Sequence, residues 1–143
     1  MISMEAFVER ILHVKDTVRI KVRFNDTDAM GIVHFKNYLV YFDDGFVNFM
    51  RAVENPVEPA VKSGIVFPVK KISITYENSA KFGDYVTVET SIKEIGKKSM
   101  TFNHKILRES DNILLAEVEC VRLIMDLNSQ ELLDITKFFL EYL

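Results

Sequence analysis

The chain has 143 residues, a length that suits one domain at roughly 100–200 residues per domain. Hydrophobic residues make up 48% and charged residues 27%, which excludes a disordered, collagen-like or low-complexity chain. Against 18 Lys and Arg stand 21 Asp and Glu, so the formal charge is −3 and no nucleic-acid partner is expected.

Met4 to Val14 fits either a short amphipathic helix or a lead-in strand. From Val18, the residues Val18, Ile20, Val22 and Phe24 alternate with Arg19, Lys21 and Arg23, which predicts a strand with one wet face. The turn residues of Asn25 to Gly31 end it. Tyr38, Phe42, Phe46, Phe49, Met50 and Val53 then recur at helical spacing, so a helix is expected from Asn37 to Val53 with Asn37 as a candidate N-cap. Leu39, Val40, Tyr41 and Val47 widen its apolar arc, which predicts a largely buried helix. Val57 to Ile65 suits a short helix closed by Gly64.

The remainder reads as β. Strands are expected at Val69 to Tyr76, Val86 to Ile92, Met100 to Ile106 and Ile113 to Met125. Turns at Phe82-Gly83-Asp84, Gly96-Lys97-Lys98 and Ser110-Asp111-Asn112 separate them. A final helix with Ile135, Phe138, Phe139 and Tyr142 on one face follows, with Asp134 as its cap. One helix cannot cover both faces of a five-stranded sheet, so the sheet is expected to curl around it and keep Val121 and Leu123 on an outer face.

Several chemistries are missing. The lone Cys120 allows no intrachain disulfide and no cysteine zinc cluster, fits a reducing compartment, and reads as an inert thiol within a strand. His13, His34 and His104 never approach a metal-ligand spacing. The first residues carry Glu5, Glu9 and Arg10 where a signal peptide needs an apolar core, and no apolar run of about 18 residues exists. A soluble cytoplasmic protein without a transmembrane segment is expected. Asp26-x-Asp28-x-x-Gly31 opens like a calcium loop, but Met30 and Asn37 occupy the positions that must supply ligands, so calcium is rejected.

The stretch Asp26-Thr27-Asp28-Ala29-Met30-Gly31-Ile32-Val33-His34-Phe35-Lys36-Asn37-Tyr38 resembles the 4-hydroxybenzoyl-CoA thioesterase family. The resemblance runs from about Val18 to Leu127 and includes Phe82-Gly83-Asp84 and Ile92 to Ser99. His34 departs from it, because Tyr or Trp commonly follows the Val there; residues 1–17 form an N-terminal extension to a single domain spanning 1–143.

The resemblance implies an α+β hotdog fold, with an antiparallel sheet wrapped around one long helix. It implies acyl-CoA hydrolysis with Asp28 as general base or nucleophile and the Phe35 backbone N–H as oxyanion donor. Asp26 is expected to shape the turn. His34 is a candidate proton shuttle or substrate contact, with packing or capping as the competing reading. Lys97, Lys98 and Ser99 sit where the family meets the phosphates of CoA, although a solvated hairpin turn explains the same residues. Tyr38 is a candidate acyl contact, and Phe42 and Phe46 belong with it or with the core.

No cofactor beyond the CoA of the substrate and no metal are expected. A homodimer joined sheet edge to sheet edge is implied, often paired again into a tetramer. Two other readings stay open. A hotdog dehydratase would carry His-Phe-Pro or Asn-Pro-x-His, which this sequence lacks, since Lys36 follows His34-Phe35. A non-catalytic acyl-CoA-binding module is the other.

Overall fold

The computed structural model describes residues 3–141. Met4–Leu12 forms helix α1. Ser3 settles the choice between helix and strand: its Oγ accepts the Ala6 N–H at 3.1 Å. Phe7 and Ile11, four apart on one face, are buried.

Strand β1 spans Lys15–Lys21, three residues earlier than the alternation predicts. Its partner, β4 (Tyr85–Ile95), is long enough to extend the ladder down to Lys15, opposite Ser91. Val22 is buried, but Phe24 does not face inward: it is 77% exposed. The cause is local. The Asp26 carboxylate accepts the Arg23 N–H at 3.0 Å and winds Phe24–Asp26 into a 3₁₀ turn, which ends the period-2 pattern.

Helix α2 covers Asn37–Ala52 and buries Tyr38, Tyr41, Phe42, Gly45, Phe46, Phe49 and Met50. It is not buried all round, since Leu39 and Val40 remain exposed. Asn37 does not cap it. Lys36 holds the cap position without a side-chain bond, and the Asn37 side chain donates instead to the Asp26 carbonyl at 2.7 Å. Gly45 lets the helix lie against the sheet; a Cβ there would sit 2.6 Å from Val88 Cγ1 and 2.8 Å from Thr90 Oγ1.

Helix α3 (Val57–Lys62) follows, then β2 (Ile65–Val66), β3 (Val69–Tyr76), β4, β5 (Ser99–Arg108) and β6 (Leu114–Leu123). The predicted strand from Ile113 to Met125 breaks at buried Ile124, and Met125–Asp126 becomes β7. β7 joins β2 and β8 (Glu131–Leu132) in a small second sheet. Helix α4 is Ile135–Glu141; Tyr142 lies outside the described residues.

The main sheet has the order β1-β4-β5-β6-β3, antiparallel throughout. Its inner face carries Val86, Val88, Phe102, Ile106, Val118 and Cys120, all buried against α2. Its outer face carries Glu89, Lys93, Asn103, Lys105, Glu117 and Glu119, while Val121 and Leu123 stay partly exposed there. β1 and β3 are the free edges. No helix among the described residues is long and apolar enough to cross a membrane.

Candidate active site

The loop between β1 and α2 is organised by Asp26, which is only 4% exposed. Its carboxylate accepts the Arg23 N–H at 3.0 Å, Arg23 Nη2 at 3.1 Å and the Tyr41 hydroxyl at 2.9 Å. Burial pushes this carboxyl upward; the Arg23 and Tyr41 donors outweigh it and hold it below the ordinary carboxylate value. Burial and the Asp26 charge push the Tyr41 phenol far above its usual range, so Tyr41 stays a donor. The Asp26 carbonyl accepts the His34 N–H at 2.9 Å and Asn37 Nδ2 at 2.7 Å. One residue thus ties the end of β1 to the loop and to α2.

Beyond Asp26 the chain doubles back. Thr27 pairs with Val33, and the Asp28 N–H donates to the Ile32 carbonyl at 2.9 Å. Gly31, at φ +79°, makes the reversal in the left-handed region that glycine enters without strain. Asp28 is half-buried, and its Oδ1 accepts the Met30 N–H at 2.8 Å. Its Oδ2 has no hydrogen-bond partner among the described residues. One carboxylate oxygen is anchored and the other is open to a ligand.

The returning arm presents four backbone N–H groups, three of which are engaged. Val33 donates to the Ala80 carbonyl, His34 to the Asp26 carbonyl and Lys36 to His34 Nδ1 at 3.3 Å. The Phe35 N–H has no acceptor among the described residues. It lies just before the first turn of α2, where the helix contributes partial positive charge. The His34 ring stacks on Phe35 with centroids 4.6 Å apart. Because its Nδ1 accepts from Lys36, the neutral ring carries its proton on Nε2.

The other candidate residues lie elsewhere. Tyr38 is 2% exposed, its hydroxyl accepts the Ala80 N–H at 3.3 Å, and its ring packs edge-on against Tyr41 and Tyr76. It forms the wall behind the loop and offers a ligand no surface in the single chain. Lys97, Lys98 and Ser99 occupy the β4–β5 hairpin, at the far end of β4 from the loop, and the 11 residues of β4 span at most about 35 Å. There Lys98 pairs with Asp134 at 2.8 Å and donates to the Leu132 carbonyl at 3.1 Å. One chain therefore brings Asp28, His34 and Phe35 together and keeps Lys97, Lys98 and Ser99 apart from them. Cys120 is buried, and burial raises its thiol above the ordinary value, which leaves it unreactive.

The structure adds residues that the sequence did not single out. Tyr76, from edge strand β3, donates its hydroxyl to the Phe35 carbonyl at 3.0 Å. Arg23 and Tyr41 brace Asp26. Phe24, Met30 and Phe82 join Phe35 as exposed apolar groups that rim the loop, with Phe24 and Phe82 in edge contact at 5.7 Å. The only signal for Tyr76 was strand alternation, which carries no information about a loop far away in sequence.

Residues 22–143 match the model of the thioesterase-like superfamily. The chain belongs to that family. This thioesterase-like chain is similar to the 4-hydroxybenzoyl-CoA thioesterase of Pseudomonas sp. strain CBS-3, being 32% identical to it over 95 residues, 64% of this chain and 67% of that one. The acyl-CoA thioester hydrolase YbgC of Escherichia coli O6:H1 is 24% identical over 107 residues, 75% of this chain and 79% of its own. A hypothetical protein from Thermus thermophilus superposes with a TM-score of 0.80 at 29% identity, covering 90% of this chain and 96% of that one. The solved Pseudomonas 4-hydroxybenzoyl-CoA thioesterase, at TM-score 0.79 and 24% identity, covers 90% of this chain and 99% of its own and shares the hotdog fold.

Proposed function

We propose that this chain hydrolyses an acyl-CoA thioester to the free acid and CoA. Asp28 acts as general base or nucleophile, and the Phe35 N–H receives the oxyanion. The observation that carries this reading is their pairing in one loop: a carboxylate with one open oxygen, and, at the foot of α2, an N–H with no acceptor among the described residues. The relatives named acyl-CoA thioester hydrolase and 4-hydroxybenzoyl-CoA thioesterase support the same chemistry.

In the general-base route Asp28 takes a proton from water while the water oxygen attacks the thioester carbon. The C–S bond then breaks and the proton passes to the CoA thiolate. In the nucleophilic route Asp28 attacks directly, CoA leaves, and water cleaves the mixed anhydride. Both consume only the thioester and water, so no cofactor is required. His34 offers its Nε2–H as a hydrogen bond to the substrate or the leaving group.

The working form is a homodimer, paired again into a tetramer. β3 is an eight-residue edge, exposed over nearly its whole length, with Val69, Ile72 and Tyr76 uncovered. It runs from the hairpin end of the sheet to the loop end. Antiparallel pairing with a second β3 would set the Lys97-Lys98-Ser99 hairpin of one copy beside the Asp28 loop of the other. The CoA phosphates would meet those residues there, and the apolar rim of Phe24, Met30, Phe35 and Phe82 would flank the acyl group. The lone buried Cys120 fits a cytoplasmic setting.

The test is thiol release from a panel of acetyl-, hexanoyl- and benzoyl-CoA. Steady release from at least one member is expected. Tight acyl-CoA binding with no thiol released would overturn the hydrolase reading in favour of a binding module. Light scattering at micromolar concentration should give two or four times 16.6 kDa, and a monomer would contradict the assembly.

A further inference from the structure

The peptide units around the Phe35 N–H are held one by one. The His34 N–H donates to the Asp26 carbonyl, and the His34 carbonyl, in the same peptide unit as the Phe35 N–H, accepts the Asn37 N–H at 2.9 Å. The following unit is held at both ends: the Lys36 N–H meets His34 Nδ1 at 3.3 Å, and the Phe35 carbonyl accepts the Tyr76 hydroxyl at 3.0 Å. The Tyr38 N–H also reaches that carbonyl, at a long 3.4 Å. Phe35 itself is 64% exposed, so hydrogen bonds rather than core packing fix this peptide. Tyr76 is the side-chain donor among them that comes from a different sheet element, and its ring lies edge-on to Phe35 at 6.4 Å and to Tyr38 at 5.6 Å.

We propose that Tyr76 is a positioning residue, whose hydroxyl on the Phe35 carbonyl fixes the loop so that the adjacent Phe35 N–H points at the developing oxyanion. This inference rests on the hydrolase reading above. A donor set in place before the reaction stabilises the transition state without reorganising at the moment of bond making. Partial burial keeps the Tyr76 phenol above its ordinary value of 10.0, so the hydroxyl remains a donor through neutral and mildly alkaline pH. The ring–ring contacts with Tyr38 tie the edge strand to the wall of α2, so the hydroxyl has a fixed base to act from.

Tyr76→Phe keeps the ring and removes only the hydroxyl. The expected result is a kcat lowered about 3–10-fold, the range for one neutral hydrogen bond, with KM and the affinity for free CoA held within about twofold. A kcat equal to the parent's would overturn the inference, and so would a deficit lying wholly in KM. Circular dichroism and light scattering on the same samples give the folded, assembled fraction, and a deficit that vanishes on that correction would overturn it too. Failure of the parent protein to release thiol would instead strike the hydrolase reading itself.

Discussion

The C-terminal half of α2 packs mainly on phenylalanine rings, with the Arg122 guanidinium 3.8 Å from the Phe46 ring centre, whereas its N-terminal half packs on rings that carry hydroxyls. Phe46, Phe49 and Met50 meet Phe67, Phe102, Phe138 and Phe139, and α1 adds Phe7 and Ile11. Rings there pack edge to face, Phe46 on Phe102 at 5.3 Å and Phe49 on Phe102 at 5.5 Å. At the other end Tyr38 and Tyr41 replace phenylalanine, and each hydroxyl is bonded, to the Ala80 N–H and to Asp26 respectively. A ring cluster fixes volume but leaves rotation about its axes loosely defined. A buried hydroxyl fixes direction, which a loop presenting one carboxylate oxygen and one N–H needs. The aromatic end holds the helix in the sheet; the tyrosine end aims the loop.

Substitutions at the two ends should therefore separate stability from activity. Phe102→Ala, at a fully buried ring touching two phenylalanines, is expected to cost about 3–5 kcal/mol in chemical denaturation while leaving kcat per folded molecule unchanged. A fall in kcat without a fall in stability would erase the distinction between the ends. Tyr41→Phe removes a hydroxyl donating to a buried carboxylate, so about 1.5–3 kcal/mol of stability should go, this time with a drop in kcat as the loop loosens.

The sheet beneath α2 adds a pH test. His104 is wholly buried, with Nδ1 2.8 Å from Thr90 Oγ1, and burial followed by the Arg122 charge lowers its pKa to about 3 from 6.5. The unfolded chain binds this proton more readily than the folded one, so stability rises with pH across that interval. The contribution is full above about pH 6.5 and is lost as pH falls toward 3. The unfolding free energy from chemical denaturation should drop in acid with a slope of up to about 1.4 kcal/mol per pH unit from this group, and His104→Gln should flatten that slope. The smallest effect belongs to Lys98→Ala, whose partner Asp134 is a surface group; unfolding should change by less than about 1 kcal/mol.

Much of the architecture was legible because its periods are strong. The helical spacing from Tyr38 to Met50 and the alternation of β4, β5 and β6 survive in the structure almost residue for residue. The errors fall where a local bond overrides a period. Phe24 turns outward because Asp26 bonds back to Arg23, and Asn37 forgoes capping because the helix already begins at it, with Lys36 in the cap position, while its amide Nδ2 donates to the Asp26 carbonyl. β2, β7 and β8 are two residues each, too short to show any period.

The same limit applies to the loop. Asp28, His34 and Phe35 stand in one contiguous pattern and could be read from it. Tyr76 lies 41 residues from Phe35, and only the pairing of β3 on β6, which puts Tyr76 at the loop end of the sheet, brings its hydroxyl to the loop. The separation of Lys97, Lys98 and Ser99 from Asp28 likewise follows from the length of β4, a quantity that pattern reading underestimated by stopping the strand at Ile92.

The most direct test of the loop as a hydrolytic centre is the single-turnover rate of CoA release by Asp28→Asn beside the parent. The variant should bind acyl-CoA with the parent's affinity and release CoA about 10²–10⁴-fold more slowly, because the amide can neither accept the water proton nor attack the thioester. Release at the parent's rate would contradict the account.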